Sequence, residues 1–494
     1  MNVQRTLDSQ VLVVGGGLVG LTTALVLRHH GVDVTLVEKR ATTSPQPKAR
    51  RFHVRSLEIF RALGLASTVR EAARDLAEHD HMATGRTLAE AQQLPLWRPS
   101  GPDGDPVEPS PELPCLVAQD VLEPVLRQAA EDAGVRVRFQ TELTSFAQDA
   151  DGVLAELDDR RTGRNDQLRA AFVVAADGAR SPVRAALGIG RSGRGAVGGP
   201  NVNVYFHADL SDVVRGREFN LCQLEHPDAP GALASVDGRF RWVFMAGGAE
   251  VERDWPALLR TALGVPAPDL DVRSVLPWQP EMLIADRYSD GRVHLVGDAA
   301  HVMPPFAALG ANTGIDDAHN LGWKIAAVLS GVAEPALLDS YDAERRPAGW
   351  FAADQSSRRS GVTTTPDPTL ADPFVLAAGG FQYPAGAFAG GPDEGGEIEP
   401  ITEFAPAGRV ATRIPHRWLT PGLSTLDLAG PGWALAVADE PQRWAAGGIP
   451  VHRLDADFLP PGEGLLIRPD DVIAWRGTDP TAPAEVCAKL LAGG

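Results

Sequence analysis

Three glycines near the N-terminus have the spacing of a phosphate-binding loop. Gly15, Gly17 and Gly20 fit the pattern G-x-G-x-x-G, and a carboxylate, Glu38, follows about twenty residues later. Glycines at these positions make a tight turn, let a pyrophosphate approach the backbone and let a helix lie close to a strand. Free amides at the helix start would bind the anion, and the carboxylate would accept both ribose hydroxyls. These residues predict a dinucleotide site with a free 2′-hydroxyl, as in FAD or NAD.

The segments around these glycines supply the elements that such a loop requires. An apolar run at Val11–Val14 predicts a buried parallel strand, and a helical stripe continues to about His29. A second apolar run, Val34–Val37, predicts the next strand and ends at Glu38. Strand, glycine turn, helix and second strand therefore place the glycines and the carboxylate around one ligand.

Two later segments also place an acidic residue at the end of an apolar strand. In "AAFVVAADGARSPVRAALGIG", the run Phe172–Ala176 precedes Asp177, and Ser181 can cap the helix that follows. In "GRVHLVGDAAHVMPP", the run Val293–Val296 precedes a glycine and Asp298. Both segments predict polar groups at the carboxyl ends of strands.

A loop of small residues and a helix follow Asp298. Pro304 and Pro305 lie in this loop, Gly310–Thr313 complete it, and a helical pattern runs over 314–329. Backbone amides at the start of a helix carry partial positive charge and bind anions. The segment therefore predicts free backbone amides where this helix begins.

The composition disfavours several classes of protein. The 494 residues carry a net charge of −18 and are 44% hydrophobic, so the chain should attract phosphate backbones and anionic membranes poorly. Three scattered cysteines provide neither a disulfide framework nor a metal cluster. No apolar run reaches the length of a membrane span, and the first residues lack the pattern of a secretory signal. We expect a cytoplasmic protein without a nucleic-acid, membrane or metal partner.

Taken in this order and at these separations, the three motifs resemble those of the single-component FAD-dependent aromatic hydroxylases. That family has the p-hydroxybenzoate hydroxylase fold, and the chain is most similar to its phenol hydroxylase and aromatic polyketide oxygenase branch. The resemblance implies FAD as cofactor, NADPH or NADH as electron donor, and O2 as co-substrate. It also implies a monooxygenase that hydroxylates a phenolic, polycyclic aromatic polyketide through a flavin C4a-hydroperoxide.

The resemblance assigns roles to residues around the flavin. Asp298 would accept hydrogen bonds from the ribityl chain, and the amides of 310–313 would stabilise charge near flavin N1 and O2. Pro304 and Pro305 would form a wall that excludes water, so that these prolines and Gly310 make the catalytic environment without an assigned acid or base. The residues expected to bind the cofactor are Gly15, Gly17, Gly20, Glu38, Lys39, Lys48, Gln119, Asp177, Asp298, Gly310, Ala311, Asn312 and Thr313.

Short alternating runs between Gly199 and Met282 predict a sheet with one face on a core and the other toward a ligand. In the family this sheet covers the substrate. Its large apolar side chains are the candidate lining of the substrate pocket: Phe206, Phe219, Phe240, Trp242, Phe244 and Met245.

The resulting fold class is α/β, with a Rossmann-like FAD-binding domain, a β-sheet substrate domain and a C-terminal thioredoxin-like domain. The predicted FAD-binding domain is discontinuous and comprises 1–185 and 286–362. The substrate domain comprises 186–285, with a loop at 80–115 over the same cavity. A Gly- and Pro-rich linker at 363–406 leads to the last domain, 407–494, which lacks C-x-x-C and could serve as the surface of a homodimer.

Other chemistries remain open on the same fold. One is Baeyer–Villiger insertion or another oxidation of a polyketide or antibiotic, because pocket residues rather than motifs decide between such reactions. Another is a flavoprotein that binds a ligand without oxygenating it, since this chain has Ala307-Ala308-Leu309-Gly310 where many relatives read G-G-x-G. His301 follows the Asp298 motif, and we expect it to pack and form hydrogen bonds rather than to act as a base.

Overall fold

A computed structural model describes residues 8–96, 108–248, 250–265, 269–359, 370–371, 376, 378–379, 382–390, 408–438, 440–455 and 457–493. In chain order the strands are β1 (Ser9–Val14), β2 (Val34–Glu38), β3 (Arg51–Phe52), β4 (Met82–Gly85), β5 (Gln92–Gln93), β6 (Cys115–Leu116), β7 (Arg136–Phe139), β8 (Thr141–Gln148), β9 (Val153–Asp159), β10 (Arg164–Ala175), β11 (Arg191–Ala196), β12 (Asn201–His207), β13 (Leu221–Leu224), β14 (Gly231–Ser235), β15 (Arg241–Gly247), β16 (Asp271–Trp278), β17 (Glu281–Ala285), β18 (Ser289–Asp290), β19 (Val293–Leu295), β20 (His301–Val302), β21 (Trp418–Thr420), β22 (Leu423–Ser424), β23 (Ala434–Val437), β24 (Val451–Arg453), β25 (Gly464–Ile467) and β26 (Ile473–Gly477). The α-helices are α1 (Leu18–His29), α2 (Val54–Ala62), α3 (Ala66–Ala72), α4 (Gln119–Asp132), α5 (Pro182–Ala186), α6 (Ser211–Val214), α7 (Trp255–Leu263), α8 (Leu309–Leu329), α9 (Asp339–Arg359) and α10 (Ala482–Leu491).

The central sheet is built from the buried apolar runs that the sequence predicts as strands. Its order is β18-β19-β10-β1-β2-β7, in which β19, β10, β1, β2 and β7 run parallel, while β9 extends antiparallel from β10 and β8 from β9. Helix α1 packs between this sheet and helices α4 and α8. The α/β fold class is confirmed.

The parallel arrangement explains why distant sequence motifs meet. The carboxyl ends of parallel strands lie at one edge of a sheet, which is where ligands bind in open α/β folds. Gly15 follows β1, Glu38 ends β2, and Asp177 follows β10, so all three reach this edge. Asp298 joins them because β19 pairs with β10.

Helix α8 begins earlier than the sequence pattern predicts. The chain turns at Ala307 and Ala308, whose φ values are 59° and 54°, and the helix starts at Leu309 instead of Gly314. The segment Gly310–Thr313 therefore lies in the first turn of α8 and not in a loop before it. The amides of Gly310 and Ala311 still belong to the free N-terminal amides of the helix, because the first four N–H groups of a helix have no intrahelical partner.

A seven-stranded sheet, which we name the roof sheet, has the order β16-β12-β15-β14-β13-β4-β5. Apolar side chains from one of its faces form a core with α7, where Trp255 and Leu259 are buried. Along β12, buried residues alternate strictly with partly exposed ones. The predicted two-faced sheet is therefore found.

The segment 80–115 contains strands, contrary to the prediction of a loop. Met82–Gly85 pairs with β13 in parallel and continues the roof sheet, and Cys115–Leu116 pairs with β3. This pairing satisfies backbone groups that a bare loop would leave without partners. The central part of the predicted loop, 97–107, lies outside the described residues.

The predicted domain limits near 185 and 285 coincide with the ends of α5 and β17. A three-stranded sheet with the order β11-β17-β20 lies at these limits. Its strands β11 and β17 flank the roof-sheet strands in the sequence, and β17 pairs with β20, the strand that follows Asp298. The division into domains stays a prediction.

The C-terminal residues form a four-stranded sheet with the order β24-β23-β25-β26 and helix α10. Strand β24 is parallel to β23, whereas β25 and β26 are antiparallel to their neighbours. Cys487 is buried in α10. Most of the predicted linker lies outside the described residues, but 382–390 pack against α9, where Tyr383 accepts a hydrogen bond of 3.0 Å from Arg345. Among the described residues, no helix has the length and hydropathy needed to cross a membrane.

Candidate active site

The glycine loop leaves open space at one position and none at two others. Gly15 has φ +114°, and a Cβ there would lie 2.2 Å from the carbonyl oxygen of Ala176. A Cβ at Gly20 would lie 1.9 Å from the carbonyl oxygen of Gly15. At Gly17 the nearest atom to a built Cβ is Glu123 Oε1, at 3.6 Å. The fold itself therefore requires Gly15 and Gly20, while Gly17 faces the cavity that a ligand would enter.

Glu38 lines the cavity at the end of β2 and is engaged by the backbone. Its two carboxylate oxygens accept hydrogen bonds of 2.8 Å from the amides of Gly16 and Arg40. A carboxylate oxygen can accept more than one hydrogen bond, so both oxygens remain competent to bind ribose hydroxyls. Lys39 also lines the cavity.

Glu123 is a site residue that the sequence interpretation missed. Its side chain is buried beneath the start of α1 and accepts hydrogen bonds from the amides of Leu18, at 3.2 Å, and Ser44, at 2.7 Å. Burial raises the pKa of this carboxyl group. Gln119 Nε2 also donates to it at 2.6 Å, and Gln119 Oε1 accepts from the amide of Ala49. The spacing of four residues on one helix face was the available signal.

Two of the sequence motifs are connected by Arg184. Its Nη1 donates to the carbonyl oxygen of Ala299 at 2.9 Å, directly after Asp298. Asp177, in the same motif as Arg184, accepts a hydrogen bond of 3.0 Å from the amide of Val183. Asp298 is exposed to the cavity but enclosed by the surrounding protein, and this enclosure raises its pKa. Burial also raises the pKa of Asp177.

The segment after Asp298 lines the cavity through Pro304, Pro305, Gly310 and Ala311. Residues 304–308, which we name the proline loop, are followed by the N-terminus of α8, so partial positive charge points toward this part of the cavity.

Asn312 and Thr313 do not line the cavity. Asn312 Oδ1 accepts from the amide of His53 at 2.8 Å, and its Nδ2 donates to the carbonyl oxygen of Ala308 at 2.6 Å. The carbonyl oxygen of Thr313 accepts from Arg345. The early start of α8 turns Asn312 toward α2 and the carbonyl group of Thr313 toward α9, and the assignment of these two residues to the cofactor stays a prediction.

Most of the predicted substrate lining lies elsewhere. Phe206, Phe219, Trp242 and Phe244 are buried in the core between the roof sheet and α7, and Phe240 lies on the outside of the molecule with 45% of its surface exposed. Met245 lines the cavity as predicted. The large aromatic side chains are on the other face because it packs against α7, where they bury the most apolar surface.

The cavity face of the roof sheet carries smaller and more polar side chains. Asn201 and Asn203 of β12, Gln223 of β13 and Trp278 of β16 border the cavity together with Met245. The indole Nε1 of Trp278 donates to Asn203 Oδ1 at 2.8 Å. These side chains offer amide groups and flat apolar surface to a ligand.

Arg50 lines the cavity beside the roof sheet. Its Nη1 donates to Asn220 Oδ1, at 3.1 Å, and to the carbonyl oxygen of Ser235, at 2.5 Å. Burial lowers the pKa of this guanidinium to about 10, so it is charged at neutral pH. The positive charge is thus bound to neutral oxygen atoms at the edge of the cavity. Lys48, two residues earlier, also lines the cavity.

His301 has the structural role that the sequence interpretation expects. The ring is fully buried and does not line the cavity, and its Nε2 donates to Asp317 Oδ2 at 2.7 Å.

One continuous cavity of about 2290 Å³ runs from the glycine loop to the roof sheet. Pockets for ligands of drug size have about 300–1,000 Å³, so this cavity has room for a dinucleotide and a second large molecule. The open position at Gly17, the acid Glu38 and the helix N-terminus at Gly310 fit FAD. No group of His, Cys, Asp and Glu side chains within the described parts of the chain is arranged to hold a metal ion.

Comparisons with known proteins agree with this geometry. Residues 8–356 match the family described as "FAD binding domain". Tetracenomycin B2 monooxygenase-dioxygenase of Streptomyces olivaceus is 37% identical to the chain, over 98% of this chain and 99% of its own length. Aklavinone 12-hydroxylase DnrF of Streptomyces peucetius is 36% identical, over 88% of this chain and 93% of its own.

Solved structures extend the agreement to the whole molecule. Aklavinone-11 hydroxylase, in a ternary complex with FAD and aklavinone, matches with a TM-score of 0.86 and 30% identity over 99% of each chain. The flavin-dependent monooxygenase PieE, in complex with FAD and substrate, matches with a TM-score of 0.84 and 29% identity, over 99% of this chain and 100% of that chain. The chain belongs to the family of FAD-dependent aromatic monooxygenases.

Proposed function

We propose that this enzyme hydroxylates a polycyclic phenolic polyketide, using NADPH or NADH and O2. The observation that carries the proposal is one large continuous cavity, which is bordered by a dinucleotide loop at one end and by the amide-bearing face of the roof sheet at the other. The relatives named for tetracenomycin B2 and aklavinone act on molecules of this kind, which supports the same substrate class here.

In this proposal, the residues at the sheet edge hold FAD. Glu38 would bind ribose hydroxyls, Asp298 would accept hydrogen bonds from the ribityl chain, and the amides near Gly310 would stabilise negative charge on the flavin. When bound, FAD accepts a hydride from the nicotinamide and activates O2 for transfer of one oxygen atom to the substrate. The helix N-terminus of α8 stabilises negative charge at this position.

The remaining cavity residues orient the substrate and exclude water. Pro304 and Pro305 have no backbone N–H groups, so this wall offers few donors to water. Met245 and Trp278 provide apolar surface for flat rings, and the amide of Gln223 binds an oxygen substituent at the edge of the substrate.

Arg50 supports a phenolate as the reacting form of the substrate. Its charge lies at the cavity edge and is bound to neutral oxygens, so an anionic oxygen would be attracted to it. Attraction to Arg50 favours the phenolate, whose proton passes to solvent as the substrate binds, and the ring carbons of the anion are electron-rich enough to react without a separate base at the site.

The proposal is tested with purified FAD-loaded protein, a panel of monocyclic and polycyclic phenols, and isotopically labelled O2. We expect one or more polycyclic phenols to accelerate NADPH or NADH oxidation by at least about tenfold and to gain one labelled aromatic hydroxyl group per nicotinamide consumed. The balanced reaction converts substrate, O2, nicotinamide and a proton into hydroxylated product, water and oxidised nicotinamide.

Other outcomes would replace the proposal. An oxygen inserted into a ring or chain of a ketone substrate, giving an ester, would identify Baeyer–Villiger chemistry. Nicotinamide oxidation that no aromatic ligand accelerates, together with tight binding of such ligands, would identify a non-oxygenating binder. The cytoplasmic location and the homodimer stay predictions from the sequence.

A further inference from the structure

The turn that carries Asp298 is held at both ends by one buried side chain. This turn, which we name the Asp298 turn, begins at Gly297 and ends at His301. Asp317 of α8 accepts a hydrogen bond of 3.0 Å from the amide of Gly297 and one of 2.7 Å from His301 Nε2, both through Oδ2. One carboxylate therefore fixes the residue immediately before Asp298 and the residue three positions after it.

Asp317 is itself fixed by a charged partner. Its Oδ1 accepts a hydrogen bond of 2.8 Å from Arg345 Nε of α9, and both side chains are buried. Burial alone would raise the pKa of Asp317, but His301 and Arg345 bring it below its ordinary value, so the carboxylate is ionised at neutral pH. Charge-assisted hydrogen bonds of this kind are short and directional. We name this arrangement of Gly297, His301 and Arg345 around Asp317 the clamp; it holds the carboxylate through both of its oxygens.

The preceding residue provides a natural comparison. Asp316 is also on α8, and it forms ion pairs with Arg345 and Arg55. It makes no hydrogen bond to the Asp298 turn among the described contacts. Asp316 and Asp317 thus share a helix, a buried position and the partner Arg345, and they differ in contact with the turn.

We propose that Asp317 is a positioning residue of the flavin site, which holds the Asp298 turn through Gly297 and His301 so that Asp298 meets the ribityl chain. The proposal rests on the contact between Asp298 and FAD given in the proposed function. It assigns His301 to the clamp. Asp317 does not line the cavity, so it would affect FAD affinity only through the position of the Asp298 turn.

The test compares Asp317→Asn with Asp316→Asn. Both variants remove one carboxylate from Arg345, so we expect both to lower the melting temperature. FAD affinity should separate them: Asp317→Asn should raise the Kd for FAD by at least about tenfold, because the amide group puts a donor against His301 or Arg345, while Asp316→Asn should stay within about twofold. The Kd is measured from flavin fluorescence with the apoprotein, and the visible spectrum of bound flavin should change in Asp317→Asn.

A second pair of variants is informative if Asp317→Asn does not fold. His301→Gln keeps an N–H that can donate to Asp317, whereas His301→Phe does not. We expect His301→Gln to retain FAD affinity within about threefold and His301→Phe to lose at least about tenfold. Equal FAD affinity in His301→Gln and His301→Phe would overturn the role of the His301–Asp317 hydrogen bond in holding the Asp298 turn.

Asp298→Ala separates this proposal from the one on which it rests. If Asp298→Ala leaves the Kd for FAD unchanged, the placement of Asp298 at the flavin fails. If Asp298→Ala weakens FAD binding but Asp317→Asn and Asp316→Asn bind FAD equally well, the placement of Asp298 holds and the positioning role of Asp317 is wrong.

Discussion

Ala307 and Ala308 adopt backbone conformations that glycine reaches more easily. Their φ values are 59° and 54°, in the region where a Cβ costs about 1–2 kcal/mol. The proline loop keeps this shape through side chains on both sides. His53 Nε2 donates to the carbonyl oxygen of Ala307 at 2.8 Å, and Ser356 Oγ donates to that of Pro304 at 2.6 Å. These hydrogen bonds give the loop a defined shape without glycine.

We therefore expect Ala307→Gly and Ala308→Gly to stabilise the protein. Glycine removes the Cβ penalty and loses about 0.5–1 kcal/mol of backbone entropy, so each variant should gain up to about 1 kcal/mol in the free energy of unfolding. Denaturant unfolding of the apoprotein checks this result. Ala327→Gly, in the helical backbone of α8, should lose about 1 kcal/mol in the same measurement. Destabilisation by all three variants would show that the loop alanines carry no strain.

At the scale of residues, the sequence predicts those roles that depend only on the backbone a few residues away. Gly15 and Gly20 follow from the spacing of one motif, and their close contacts are within or next to it. Asp317 could not be identified in this way, because its partners Gly297 and Arg345 are 20 and 28 residues away and meet it only in the folded chain.

The roof sheet shows the same limit for whole elements. Alternation in β12 and β13 predicts two faces, but it does not tell which face meets the ligand. Residue size suggested the aromatic face, and α7 covers that face instead. Period-two patterns fix the relation between neighbours on a strand, while the identity of each face depends on which other element packs there.

Two neighbours on β13 provide a direct test of this assignment. Gln223 lines the cavity and Leu224 is buried in the core below α7. Leu224→Ala should lower the free energy of unfolding by about 2–5 kcal/mol. Gln223→Leu should change it by less than about 0.5 kcal/mol but raise KM for the aromatic substrate severalfold, since one hydrogen bond contributes about 1 kcal/mol. Equal stability losses would place both residues in the core.

At the scale of the molecule, a buried ionic network joins the C-terminal four-stranded sheet to helices α2 and α9. The turn 468–471 between β25 and β26 carries its charged residues. Arg468 donates to both oxygens of Glu344 on α9, at 2.7 and 2.8 Å, and Asp471 accepts from Arg55 of α2 at 2.8 Å. These contacts join residues 124 and 416 positions apart, which no local pattern predicts. Breaking such pairs by removing one partner costs about 3–5 kcal/mol.

Asp471 makes this connection sensitive to pH. Burial raises its pKa to about 6, although Arg55 opposes the rise. Because the folded-state pKa lies above the ordinary value of 3.8, the contribution of this group to stability is fully present below about pH 4 and is lost as the pH rises through about 6. The difference corresponds to about 3 kcal/mol.

Asp471→Asn should remove this dependence. Asparagine tolerates the positive φ of 65° at this position, so the turn can keep its shape. Between about pH 4 and pH 7, the free energy of unfolding of the parent protein should fall relative to that of the variant by about 2 kcal/mol in urea titrations. Asp470→Asn is the control: Arg468 outweighs burial and lowers the pKa of Asp470 to about 2, so its effect should be constant in this window. A constant difference for Asp471→Asn as well would contradict the assignment.

The two faces of the roof sheet have an evolutionary consequence. Asn201, Asn203 and Gln223 face the cavity, while the residues between them hold the sheet to α7. Selection for a new substrate can therefore act on the cavity-facing positions, while selection for folding acts on the core-facing ones. The two kinds of position alternate along the same strands. A library that randomises only the cavity-facing positions should yield mostly folded members with divergent substrate preferences.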